Sequence, residues 1–257
     1  VRIEWAKKEA WKLMPAVVGF GLLVLVWWFV ADVEWAKAKP QNLWVAHPRE
    51  VAARLAHLSK TDWESAWATI GRILPGFFLV FFAGVPLGLA FGYLSKVYSF
   101  LQGPIDFWRS IPPLAVLPVC FFVFPEGEKS RISLIVFGCL PILIMQVADA
   151  FRGIPLGRRE FADQIGATFW FKQRSLYLYE LLPSIFTGLR MVVSFSVVIA
   201  VASEMAWGAG KGLGDRINGA RFDYDVPGTY VFALLSGAIG YGANLFLRWA
   251  ERLFVWK

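Results

Sequence analysis

Six ionisable residues lie in or beside long apolar runs of this 257-residue chain: Arg72, Asp106, Arg109, Asp149, Arg190 and Glu204. Charge in such surroundings is costly and is kept for pairing, gating or contact with a passing solute. Asp106 and Arg109 are three residues apart, so on a helix they pair across one face. Arg72 and Asp149 fall near the ends of apolar runs, where side chains reach the interface by snorkelling or solvation. Arg190 and Glu204 are about 21 Å apart along a helix, too far for one shared binding site, and read as gate or orienting residues.

Other chemistries are poorly supplied. Gly208-Ala209-Gly210-Lys211-Gly212 is the nearest approach to a phosphate cradle, but Met205 stands where the P-loop pattern needs glycine. No Ser or Thr follows Lys211, so the stretch reads as a flexible loop. His47 and His57 have no Cys or Asp cluster beside them, which argues against a metal site. Cys120 and Cys139 lie inside apolar runs as small packing residues. No nucleophile–base constellation favours an enzyme. The net charge of +7 is not gathered into a basic block, so basic membrane flanks explain it better than nucleic acid does.

The elements that position these residues must be membrane spans. Apolar residues make up 57% of the chain and charged ones only 18%, and the mean hydropathy is +0.53. Usual shares are about 45–50% and about 25%, so lipid is a large part of the solvent. We expect an all-α integral membrane protein with about six transmembrane helices in one domain, 1–257. Residues 1–12 form a basic N-terminus and 13–31 a first span, longer and bulkier at its end than a signal-peptide core. Residues 32–66 are an aqueous segment in which Pro48 opens a surface helix with Val51, Leu55 and Leu58 on one face. The core, 67–257, continues with Trp67–Tyr93 and with Val97–Phe124, broken by Pro104, Pro112, Pro113 and Pro118. Such breaks need a protein or watery surround. A polar loop at Pro125–Arg131 precedes a fourth span at Ile132–Phe151. The basic segment 152–182 reads as helix, glycine, helix, centred on Gly166. A fifth span covers Pro183–Ala206, a loop follows at Gly208–Pro227, and a sixth span covers Gly228–Leu247.

The stretch Arg159–Arg190 reads REFADQIGATFWFKQRSLYLYELLPSIFTGLR. Glu160, Ala162 and Gly166, with Leu182-Pro183 downstream, resemble the cytoplasmic signature of permease subunits of bacterial ABC importers. Phe161 departs from the middle alanine of that signature, and Tyr179 stands where its usual proline would fall. Arg109-Ser110-Ile111-Pro112-Pro113-Leu114-Ala115, Pro183–Arg190, Ala202-Ser203-Glu204-Met205 and Gly212-Leu213-Gly214 are similar to the nitrate/sulfonate/taurine group. The resemblance covers the chain from about His47 onward.

What the resemblance implies is a type I ABC importer permease fold with a cytoplasmic coupling-helix loop at 152–182. Glu160, Ala162, Gly166, Phe169 and Trp170 would then dock an ATPase, the aromatics acting as an apolar knob on a chain that turns at Gly166. Arg109, Pro112, Pro113, Ser184, Thr187, Arg190, Ser194 and Glu204 are the candidates for the translocation path or gate. The implied partners are ABC ATPase subunits that bind ATP and Mg, a periplasmic binding protein, a second copy of the chain, and membrane lipid. This chain itself would hold no cofactor. The implied cargo is a small solute, an anion of the nitrate, sulfonate, taurine or bicarbonate type. A self-contained secondary transporter or channel is the alternative, but no internal repeat supports it.

An even number of spans and the basic bias place both termini in the cytoplasm of a bacterial inner membrane, with 32–66 outside. In a background lacking Cys120 and Cys139, an impermeant thiol reagent added to intact cells should label Ser59→Cys and spare Ser175→Cys. Labelling of the second from outside overturns this topology.

Overall fold

The computed structural model describes residues 2–37, 45–125, 127–155, 177–208 and 210–254, with Gly157, Arg158, Glu160, Gln164, Gly166 and Thr168 as isolated positions between them. Its described elements are all helical: α1 (Arg2–Lys37), α2 (Pro48–Ala56), α3 (Lys60–Tyr93), α4 (Ser95–Ser110), α5 (Pro113–Val123), α6 (Gly127–Arg152), α7 (Leu178–Trp207), α8 (Leu213–Phe222) and α9 (Val226–Phe254). Helices α3, α6, α7 and α9 are long and apolar enough to cross a membrane. Helices α4 and α5 meet at 94° around Ile111-Pro112, the geometry of a broken span or a re-entrant loop. The bend has a local cause: Pro112 and Pro113 supply no amide hydrogens, and the residue before a proline avoids the helical region. In α1 the apolar part is the shorter Val18–Val33.

Several expected boundaries move. Helix α3 begins at Lys60 and α6 at Gly127, so charged turns cap both spans and the expected polar loop at Pro125–Arg131 is largely helix. Helix α7 begins at Leu178 and runs through Pro183. The five residues ahead of that proline belong to the same helix. The segment Gly208–Pro227 holds a helix of its own, α8.

The chain divides into two units. The first comprises residues 1–60 and 217–233. In it Trp27 stacks on Tyr230 at 5.6 Å and donates its indole N–H to the Ala46 carbonyl at 3.1 Å. His47 caps α2, accepting the Arg49 amide hydrogen on Nδ1 and meeting Asp32 through Nε2 at 3.1 Å. The expected apolar face of α2 is only partly covered: Val51 is buried and Leu55 exposed. Arg54 reaches Asp225 at 3.4 Å, and Asp225 in turn caps α9 through the Gly228 amide.

The second unit, residues 61–216 and 234–257, holds most of the helical core. Within it α3 and α6 run parallel in constant register and approach closely. A Cβ added at Gly76, Gly84, Gly88 or Gly92 would strike Ile135, Leu143, Val147 or Phe151 respectively. These four glycines, spaced by four or eight residues on one face of α3, let the two backbones approach closely, which is how helices associate where lipid removes the hydrophobic incentive. Val80 and Cys139, both buried, fall in the same register, and the Cys139 thiol faces Val192 O and Ser196 Oγ on α7.

A Cβ at Gly88 would lie 2.6 Å from Val147 Cβ and 2.8 Å from the Ile144 carbonyl, whereas one at Gly103 meets nothing within 4 Å. Gly88→Ala should therefore cost about 1–3 kcal/mol through overpacking. Gly103→Ala should be neutral or slightly stabilising. Thermal unfolding of the purified chain in detergent separates the two, and equal melting temperatures would refute the close α3–α6 contact.

Candidate functional site

The first turns of α3 and α6 and the last turns of α7 meet at one end of the second unit, and there the charges collect. Arg72 is 3% exposed and Glu204 is fully buried. Arg72 donates from Nη1 to Glu204 Oε1 at 2.6 Å. From Nε and Nη2 it forms a two-pronged contact with Glu128 at 2.7 and 2.6 Å. Glu128 has its side chain 59% exposed, so the array runs from the buried carboxylate through the guanidinium to the surface. The snorkelling expected of Arg72 does not occur. A buried guanidinium needs counter-charge, and α6 and α7 each deliver a carboxylate.

Glu204 also takes the Gly214 amide hydrogen at 2.9 Å and lies 3.0 Å from Thr69 Oγ1, which accepts the Leu213 amide hydrogen at 2.9 Å. Arg131, 4% exposed, donates to the Gly208 carbonyl at 2.7 Å and the Gly127 carbonyl at 3.1 Å. The segment expected to be a flexible loop is thus fastened at three places. Its glycines serve close approach: a Cβ on Gly212 would be 2.5 Å from Glu204 Cδ, and one on Gly214 would be 2.6 Å from Glu204 Cβ. Beside it Arg216 bonds to Ser65 Oγ at 3.1 Å and faces buried Asp62 at 3.5 Å.

A second polar group lies along α7 and α9. These helices pair antiparallel: Val197 against Gly240, Ser194 with Asn244, Arg190 with Glu251, and Phe186 on Phe254 at 6.4 Å. Asn244 Nδ2 donates to Ser194 Oγ at 3.0 Å, and Arg190 Nη2 to Thr187 Oγ1 at 2.9 Å. Arg190 and Glu204 thus belong to separate clusters. Of the other candidates, Ser184 is partly exposed. Arg109 is exposed and pairs with Asp106 at 2.9 Å, and Pro112 and Pro113 form the α4–α5 bend. Asp149 is exposed and accepts the Tyr98 hydroxyl at 2.6 Å.

In the segment 152–182, Gly166 has φ +63° and is exposed, a left-handed turn of the kind only glycine takes freely. Glu160 is helical and exposed, and Arg158 pairs with Glu180 at the start of α7. Ala162, Phe169 and Trp170 lie outside the described residues. Sequence reasoning missed Thr69, Glu128, Arg131, Asn244 and Glu251. A signal existed for Glu128 and Arg131, charges at the head of a span that must meet others at the same depth.

Helices of membrane-crossing length, a sharp break at Pro112-Pro113, a charge-fastened glycine loop and a left-handed turn at Gly166 define a helical membrane protein. Residues 84–255 match the family described as binding-protein-dependent transport system inner membrane component, and the chain belongs to it. It is 27% identical over 270 residues to the taurine transport system permease protein TauC of Escherichia coli (strain K12), covering 99% of this chain and 94% of the relative. It is 25% identical over 261 residues to the bicarbonate transport system permease protein CmpB of Synechococcus elongatus, covering 97% and 91%. An inward-facing structure of the MetNI methionine ABC transporter shares its fold, with a TM-score of 0.66 and 21% identity over 77% of this chain and 100% of that one. The protein is a permease subunit of an ABC importer, of the type I fold.

Glu204→Ala should cost about 3–5 kcal/mol, because a buried guanidinium loses its buried partner. Glu128→Ala, removing the exposed partner, should cost about 1 kcal/mol or less. Thermal unfolding of the two purified variants tests this, and equal losses would refute the distinction.

Proposed function

We propose that the chain carries a small solute bearing an oxyanion group, of the taurine, bicarbonate or nitrate kind, across the inner membrane. The observation that carries this is the similarity to a taurine permease and a bicarbonate permease over nine-tenths or more of their length. The path is bordered by the α7 face that bears Ser184, Thr187, Arg190 and Ser194. It is completed by a second copy of the chain. Both termini and the segment 152–182 face the cytoplasm, and the fastened loop Gly208–Gly214 faces the periplasm, where a binding protein releases the solute.

ATP and Mg are held by partner ATPase subunits, and this chain contributes the lever. Arg158 pairs with Glu180 at the start of α7, so a push on the segment 152–182 is delivered to α7 as a displacement of the whole helix. Arg72, Glu128 and Glu204 tie the far end of α7 to α3, α6 and the loop. One rigid helix thereby connects the ATPase side to the binding-protein side, which suits alternate opening of the two ends.

The reading is tested by reconstituting the chain with its ATPase and binding protein in proteoliposomes and following uptake of labelled taurine, bicarbonate and nitrate. ATP-dependent accumulation of at least one is the expected result; uptake of none while the ATPase is stimulated rejects the solute class. Gly166→Val, strained at positive φ, should reduce ATPase co-purification and abolish uptake, with the permease still folded in the membrane. Normal recovery and uptake would remove the coupling role from this loop.

A further inference from the structure

We propose that the Arg190 guanidinium is an oxyanion site within the path, held between passages by Glu251 as an internal carboxylate that the passing anion displaces. This rests on the reading that the α7–α9 seam borders the path. Arg190 and Glu251 form an ion pair with side chains 25% and 24% exposed, and Thr187 and Ser194 on the same face of α7 are exposed. The face continues on α9 with Asn244. Lipid cannot satisfy such a strip, and polar groups at this depth face water or protein.

The donors on the strip outnumber its charged acceptors. A guanidinium carries five N–H groups in a planar fork, and here Nη1 donates to the Glu251 carboxylate and Nη2 to Thr187 Oγ1. The Ser194 hydroxyl sits one helical turn further on, bonded to the Arg190 carbonyl at 3.1 Å and receiving the Asn244 amide. Glu251 is the carboxylate on this strip. A sulfonate, bicarbonate or nitrate presents the same planar or near-planar pair of oxygens as that carboxylate and can replace it on the fork. Exchange of one anion for another keeps the guanidinium paired throughout, so the solute passes without leaving a bare charge on the wall of the path.

The Arg72 array differs in kind. There both carboxylates serve a cation that is 3% exposed, and the glycine loop closes over it, leaving no approach for a solute. The Arg190 pair combines partial exposure with the adjoining Thr187 and Ser194 hydroxyls and the Asn244 amide.

The test uses the assembled transporter in phosphatidylcholine nanodiscs, with Cys120 and Cys139 replaced and Ser194→Cys introduced. Its modification is timed with an anionic sulfonatoethyl and a cationic trimethylammonium-ethyl thiosulfonate, each rate divided by that for free cysteine. With Glu251→Gln added, the sulfonate reagent should be favoured by about fivefold, as expected for a unit charge one helical turn away in a watery surround. Arg190→Gln should abolish the preference and Arg190→Lys should keep it. A preference indifferent to Arg190→Gln overturns the anion site while leaving the path reading intact. Absence of labelling by either reagent instead overturns the path reading on which the site rests. Loss of the preference when phosphatidylglycerol is added assigns the guanidinium to lipid headgroups and overturns the solute site.

Discussion

A positive charge withdrawn from water inside a membrane protein must be matched where it lies, and Arg72 imposes that condition on the second unit. At 3% exposure it takes one partner from α6 and one from α7, so two spans far apart in sequence are fixed against α3 at the same depth. The buried Glu204 then needs donors on its remaining lone pairs, and Thr69 and the Gly214 amide supply them. The glycine loop is held because its backbone is the donor. Side chains on Gly212 or Gly214 would occupy the space in which that donation happens.

The same condition follows from helix packing below the charges. Parallel α3 and α6 meet through Gly76, Gly84, Gly88 and Gly92, and the register, carried upward, brings Arg131 beside Arg72. Two guanidiniums at one depth would repel across a thin apolar gap. Glu128 and Glu204 offset one, and the carbonyls of Gly127 and Gly208 take hydrogen bonds from the other. Close packing and charge pairing are thus one arrangement, and neither set of residues is intelligible without the other.

The α7–α9 seam obeys a different rule. Its ion pair is only partly covered, and its hydroxyls and amide remain reachable. A fixed structural pair belongs in the interior, where water cannot compete; an exchangeable one belongs at a border with water. Helix α7 carries a buried pair through Glu204 near its end and a partly exposed one through Arg190 nearer its start. This separates the fastened end of the helix from its more exposed polar face.

Composition and apolar run length by themselves determined that the chain is a bundle of membrane-crossing helices, because backbone hydrogen bonds must be satisfied within each segment in lipid. Order and spacing of short motifs around Gly166, Pro112-Pro113 and Gly212-Leu213-Gly214 determined the family. The Asp106–Arg109 pair was also readable, being local to one helix turn. Partners across helices were not. Arg72 looked like an interfacial side chain because its neighbours in sequence are apolar, and Glu128 like part of a polar loop. Only the tertiary register puts them in contact. Glycines at 208–214 looked like freedom for the same reason: sequence reports that a side chain is missing, while packing decides whether the space is left open or filled by another residue's carboxylate.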